Sequence, residues 1–131
     1  MMFDETTVMY VSTKGATNAR AAFDRLESKL PSLKGRKFYG YFDPETEEYR
    51  ACAAVIEGDR DPEALDLAKW IIPKGKYLYE KIYHWNRKTD LIAPTFQRLI
   101  KENSGIIDFS RPLLEYYKSS RELRLLIPVS S

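Results

Sequence analysis

The stretch LLEYY near the C-terminal end sets one carboxylate, Glu115, among Leu113, Leu114, Tyr116 and Tyr117. Successive side chains of a β-strand point to opposite faces, so Glu115 would share its face with Leu113 and Tyr117. On an outer surface the carboxylate would simply be solvated. Facing an aromatic cavity it would be desolvated, which raises a carboxyl pKa by up to about 3–5 units in extreme cases. It would then suit either general acid–base work or the role of counter-charge to a bound cation. Residue type and spacing leave the two settings open.

Two other groups could form a ligand wall. Tyr77, Tyr79, Tyr83 and Trp85 fall at alternate positions of one β-rich run, which predicts a shared face. Such a stripe is either a core wall or a surface for flat ligands, where stacking and cation–π contacts contribute about 0.5–2 kcal/mol each. Phe38, Gly40 and Phe42 likewise share a face of FYGYF, and Gly40 there marks either a bulge or a close approach. Trp70, just before IIPKG, either packs or lines the mouth of a cleft.

Several chemistries are not expected. His84 is the only histidine and has no cysteine or carboxylate at ligand spacing, which argues against a metal site. Cys52, the only cysteine, sits in an apolar run and reads as core rather than nucleophile. PKGK is too short for a phosphate loop, so no cofactor is expected. The net charge of +2 over 131 residues comes from interspersed charges, without the basic stripe that nucleic acid requires. No apolar run approaches the roughly 20 residues that span a bilayer, and the expected location is cytoplasmic.

The elements that must position these residues repeat. Thr6 to Ser12 reads as a strand closed by Gly15. Ala19, Phe23, Leu26 and Leu30 then follow at helical spacing, with Pro31 as a stop. RKFYGYF and EYRACAAV form a hairpin whose turn contains Asp43 and Pro44. Beyond a polar connection, with one helical turn expected from Pro62 to Asp66, the order recurs. KWII and the aromatic run are strands, Ile92, Phe96 and Leu99 share a helix face, and LLEYY with ELRLLIPV makes a second hairpin. Pro94 leaves the start of that second helix open between Thr89 and Pro94. Superposing FYGYF on LLEYY pairs Gly40 with Glu115. The predicted fold is α+β in one domain, 1–131, with repeats at about 6–57 and 67–129. The repeats would form a curved antiparallel sheet, helices on one face, with a ligand cleft between repeats on the other.

The doubled strand-helix-strand-strand layout, IPKGKY before an aromatic strand, and RPLLEYY followed by ELRLLIPV together resemble the GyrI-like small-molecule-binding family, which includes effector-binding domains of AraC-type and MerR-type regulators. The resemblance implies a cleft for flat, lipophilic and often cationic molecules with a glutamate at its base. That glutamate maps onto Glu115, and the aromatic wall onto Tyr116 or Tyr117 and the strand from Tyr77 to Trp85. Some free-standing members resemble hydrolases of cyclopropane-containing compounds, which would make Glu115, with a tyrosine such as Tyr79, catalytic. A third reading, inhibition of a protein partner such as gyrase, follows from the family name alone. The chain has no spare segment for a helix-turn-helix, so direct contact with nucleic acid is not expected.

Overall fold

The computed structural model describes residues 1–43 and 45–130. Its strands are β1 (Met2–Phe3), β2 (Thr6–Lys14), β3 (Phe38–Phe42), β4 (Glu48–Ala54), β5 (Ala68–Ile72), β6 (Gly75–Tyr83), β7 (Leu113–Tyr117) and β8 (Glu122–Pro128). Its two α-helices are α1 (Ala19–Lys29) and α2 (Ile92–Glu102). All eight strands join one antiparallel sheet in the order β1-β6-β8-β7-β3-β4-β2-β5. This is the α+β architecture that the repeat pattern predicts. Pro44, expected to set the first hairpin turn, lies outside the described residues.

The helices form where expected and for identifiable reasons. In α1, Ala22 and Leu26 are fully buried, and Ala19 and Phe23 lie on the same side. Burying a leucine such as Leu26 contributes roughly 1.5–3 kcal/mol. The chain turns extended at Leu30, ahead of Pro31, whose ring excludes the helical conformation for the residue before it. A short 3-10 turn at Thr89–Leu91 leads into α2, so Pro94 falls in the first turn, where its missing N–H costs no hydrogen bond. Another 3-10 turn spans Pro62–Leu65, with the Asp61 carboxylate accepting from the Glu63 N–H and Asp66 in the left-handed region closing it.

The repeat is a structural pseudo-twofold. β3 and β7 bury the same positions in the same order, as do β4 and β8. The axis passes between β3 and β7, where Gly40 pairs directly with Glu115, its own repeat equivalent. KWII was expected as a strand and forms β5, but the repeat pattern did not foresee β1, nor that β1 and β5 each cross over to the other half. β1 pairs with β6 of the second half, and β5 pairs with β2 of the first. This exchange adds hydrogen bonds between the halves at both outer edges of the sheet.

The sheet separates two sets of packed side chains. On one face α1 covers Met9, Tyr49, Ala51 and Ala53, while α2 lays Ile92, Phe96 and Leu99 on Ile82, Leu123 and Leu125. The other face carries Phe3, Val8, Tyr39, Cys52, Ile72, Tyr77, Leu114 and Leu126. The Phe3 and Tyr39 rings meet at 5.7 Å between centroids although β1 and β3 stand four strands apart, a span of about 19 Å in a flat sheet. The sheet therefore curls toward the helix-free face. That concave side, where a cleft was expected, is occupied by core. Cys52 belongs to it, and burial pushes its thiol well above the ordinary range, consistent with an inert core residue.

Among the described residues, no helix is long and apolar enough to cross a membrane, and no group of His, Cys, Asp and Glu could hold a metal ion.

Candidate functional site

Strand register decides which residues meet. Phe38, Gly40 and Phe42 pair with Tyr117, Glu115 and Leu113, so all six share the face that bears the helices. The β3–β4 register brings Tyr49, opposite Phe42, onto the same face. Glu115 stands on the pseudo-twofold axis, in the seam between α1 and α2, with only 9 % of its surface exposed.

Two phenols reach the carboxylate from opposite halves. The Tyr49 hydroxyl donates to Glu115 Oε1 at 2.7 Å and the Tyr117 hydroxyl donates to the same oxygen at 2.8 Å. No cationic side chain forms an ion pair with Glu115 among the described residues. Burial pushes the Glu115 carboxyl above its ordinary range, and the two hydroxyl bonds only partly oppose that shift. Burial, reinforced by the neighbouring carboxylate, raises both tyrosines well above 10, so at neutral pH they remain protonated donors.

Aromatic rings enclose this acid cluster. Phe23 from α1 meets Tyr117 at 5.2 Å, Tyr49 at 6.3 Å and Phe38 at 6.5 Å, all edge-to-face. Trp85 closes the other side at 5.0 Å from Tyr117, and its indole N–H donates to the Ser119 carbonyl. The cluster thus combines a buried carboxylate, two neutral hydroxyls and a shell of rings.

Gly40 is there for room. The β3 register runs through it without a bulge, and a Cβ at this position would collide with Glu115 Oε1 and Tyr49 Oη. Gly40→Ala should force these groups apart and cost about 1–3 kcal/mol, read from the urea midpoint. A variant as stable as the parent would show that the cluster can shift freely and that the glycine is incidental.

The aromatic stripe sits elsewhere. Tyr77 and Tyr79 pair with Pro128 and Leu126, whose side chains face away from the helices. Tyr77 is fully buried in the concave core under the Arg111 guanidinium, 5.0 Å from the ring centroid. Tyr79 and Tyr83 are exposed, and Tyr79 lies beneath Arg124 at 5.3 Å. None of the three shares a face with Glu115, so Tyr79 cannot act with it. Trp85 leaves the stripe because β6 ends at Tyr83 and His84 takes the left-handed conformation, φ 55°, which redirects the next residue to the helix side. Trp70 packs on the helix-free face, 5.1 Å from Tyr41, where both rings with Tyr10 surround the Arg50 guanidinium. Tyr116 stacks there on Tyr39 at 5.2 Å.

Tyr49 and Phe23 were not among the residues expected at the site. Tyr49 was findable, since counting back across the first hairpin puts it on the Gly40 face. Phe23 was already assigned to the buried face of a helix, and no sequence pattern shows which helix residue stands over the axis.

No family model matches this chain, and no curated protein matches it. Solved structures do. An integron cassette protein from the mobile metagenome of Vibrio cholerae superposes with a TM-score of 0.70 at 17 % identity, over 99 % of this chain and 94 % of that one. The C-terminal domain of EcmrR gives 0.67 at 12 % identity over 100 % and 95 %. SAV2435, bound to tetraphenylphosphonium, gives 0.65 at 11 % identity over 100 % and 92 %. The chain has their fold. At these identities the likeness extends to architecture alone.

Proposed function

We propose that this chain binds a lipophilic, aryl-bearing organic cation over Glu115, in the seam between α1 and α2. The observation that carries the reading is the buried carboxylate with two phenolic donors on one oxygen and no cationic partner among the described residues. A buried unpaired charge is costly, and a cation delivered with its own apolar surface removes that cost. A strongly hydrated ion would lose its water for one carboxylate and two hydroxyls. A delocalised organic cation has less hydration to lose and gains ring contacts from Phe23, Trp85 and Tyr117. The complex of SAV2435 with tetraphenylphosphonium, on the same fold, supports this choice.

Access requires movement, because the rings cover Glu115. The helix that yields is α2. It has no fully buried residue, whereas α1 buries Ala22 and Leu26. Three half-buried apolar side chains and the surface ion pair from Arg98 to Glu80 hold α2 down.

The test is calorimetric titration with tetraphenylphosphonium and, separately, with neutral triphenylphosphine oxide. The cation should bind saturably and more tightly. Glu115→Gln should weaken it about tenfold or more and leave the neutral compound nearly unaffected. Equal affinity of parent and variant for the cation would sink the reading.

The protonated phenols beside a carboxylate also favour a second reading, hydrolysis of a strained electrophile such as an activated cyclopropane. Glu115 would take a proton from water as its oxygen bonds to a ring carbon. The electrons of the breaking C–C bond would then take a proton from Tyr49 or Tyr117. Mass spectrometry of the incubated compound separates the readings, since a hydrated product identifies turnover and intact ligand identifies binding.

A further inference from the structure

At one end of the second half, a surface depression is lined by His84, Asn86, Arg87, Ser120 and Arg121. All five are exposed, each can donate hydrogen bonds, and none is acidic. Neither Arg87 nor Arg121 makes a side-chain hydrogen bond or ion pair among the described residues; Arg20, Arg25 and Arg60 also lack a carboxylate partner, but Arg87 and Arg121 stand together in one depression. Glu122, the carboxylate of this hairpin, is occupied by Arg124 Nε at 2.7 Å. That bond, with smaller contributions from Lys118 and Lys81, holds its carboxyl below the usual range.

The walls are prebuilt. The His84 N–H donates to the Arg121 carbonyl at 2.6 Å, and the Trp85 indole donates to the Ser119 carbonyl at 3.0 Å. Ser119 Oγ accepts from the N–H groups of Arg121 and Glu122. The pseudo-twofold provides an internal comparison. In the first half the matching backbone bond runs from Gly15 N–H to the Glu47 carbonyl at 2.7 Å, beside a depression lined by Ser12, Thr13, Lys14, Thr46 and Glu48. There Glu47 stands where the second half has Arg121, and glycine stands where it has His84. The same backbone frame thus carries a mixed set in the first half, where Lys14 lies near Glu47 and Glu48, and a purely basic set in the second, so the basic set is not a by-product of the fold.

We propose that the depression at His84, Arg87 and Arg121 binds a tetrahedral oxyanion of the phosphate or sulfate type. Guanidinium groups suit such oxygens because they donate paired, charge-assisted hydrogen bonds. The site lies outside the Glu115 cluster, yet Trp85 is shared. Its backbone sits between His84 and Asn86, and its ring rests on Tyr117. An anion fixing this turn would hold Trp85 over the cluster.

The experiment follows the Trp85 indole and the His84, Arg87 and Arg121 amides by NMR, in protein carrying Trp70→Phe, as inorganic phosphate replaces chloride at constant ionic strength. Saturable shifts are expected. Arg87→Ala with Arg121→Ala should weaken binding about tenfold or more without lowering the melting temperature, because neither side chain forms a hydrogen bond or ion pair among the described residues. Lys14→Ala in the opposite depression should change nothing. In a separate arm, phosphatidylcholine vesicles with phosphatidic acid retain the parent but not the double variant if the anion is a lipid headgroup, and retain neither if it is a free phosphate compound. Shifts that fail to saturate, that chloride reproduces, or that persist in the double variant would overturn the proposal.

Discussion

Glu115→Gln should stabilise the ligand-free protein at neutral pH by about 1–3 kcal/mol, the desolvation cost of a buried polar group. Glutamine keeps the size and the acceptor oxygen for the Tyr49 and Tyr117 hydroxyls while removing the charge. The pH dependence gives the test its sharpness. The folded carboxyl has a pKa above its ordinary 4.5, so the folded state holds its proton more tightly than the unfolded chain does. The stability this contributes is fully present below pH 4.5 and is lost as pH rises through the folded pKa. The parent should therefore weaken across that window while the glutamine variant does not. At lower pH the two should converge. Binding a cation draws on the ionised form, so affinity should rise with pH over the same range and uptake should release a proton. Parallel stability curves for the two proteins would mean that Glu115 is solvated and unshifted.

Asp59→Ala should cost about 3–5 kcal/mol and is the most damaging single charge removal we expect. Arg36 and Asp59 form a two-point ion pair, Nη1 to Oδ2 at 2.7 Å and Nη2 to Oδ1 at 2.8 Å, with side chains only 1 % and 4 % exposed. The same guanidinium donates to the carbonyls of Ala54 and Ser32, and the same carboxylate accepts the Ile56 N–H. The pair thus ties the end of β4 to the segments before β3 and after β4. Removing Asp59 strands a buried cation, whereas Arg36→Met with Asp59→Leu removes both charges and should recover much of the loss. The bond to Arg36 holds the Asp59 carboxyl below its ordinary 3.8, so its contribution is present above that pH and lost as pH falls through the folded pKa. Equal stability of the single and double variants in denaturant titrations would refute the stranded-charge explanation.

The two carboxylates thus titrate in opposite directions because one has a cation and the other does not. Arg36 and Arg111 occupy matching places ahead of β3 and β7, and each finds its own aspartate. Among the described residues Glu115 has no such partner. Its position on the axis explains its pairing with glycine. There a residue faces its own repeat equivalent, two glutamates would repel across the strand pair, and two bulky side chains would compete for one volume.

Alternation and helical periodicity are local properties, so the repeated strands, both helices and the Gly40 with Glu115 correspondence were legible in the sequence. The placement of Glu115 beside Tyr117 followed from parity within one strand. What lay between strands was not legible. Parity tells which residues share a face and not what covers it, so the Tyr77, Tyr79 and Tyr83 stripe was readable as a stripe while its separation from Glu115 depended on pairing with β8. A single left-handed residue, His84, moved Trp85 across the sheet, a change that no periodicity encodes. The two-residue strand β1 is too short to carry a periodicity, and only the curl of the sheet brings its Phe3 onto Tyr39. Tyr49 joined the site because β4 lies beside β3 and Gly40 leaves the space its hydroxyl needs. The residue types that could do chemistry were set by the sequence, but their meeting was decided by register, curvature and the volume left open at one glycine.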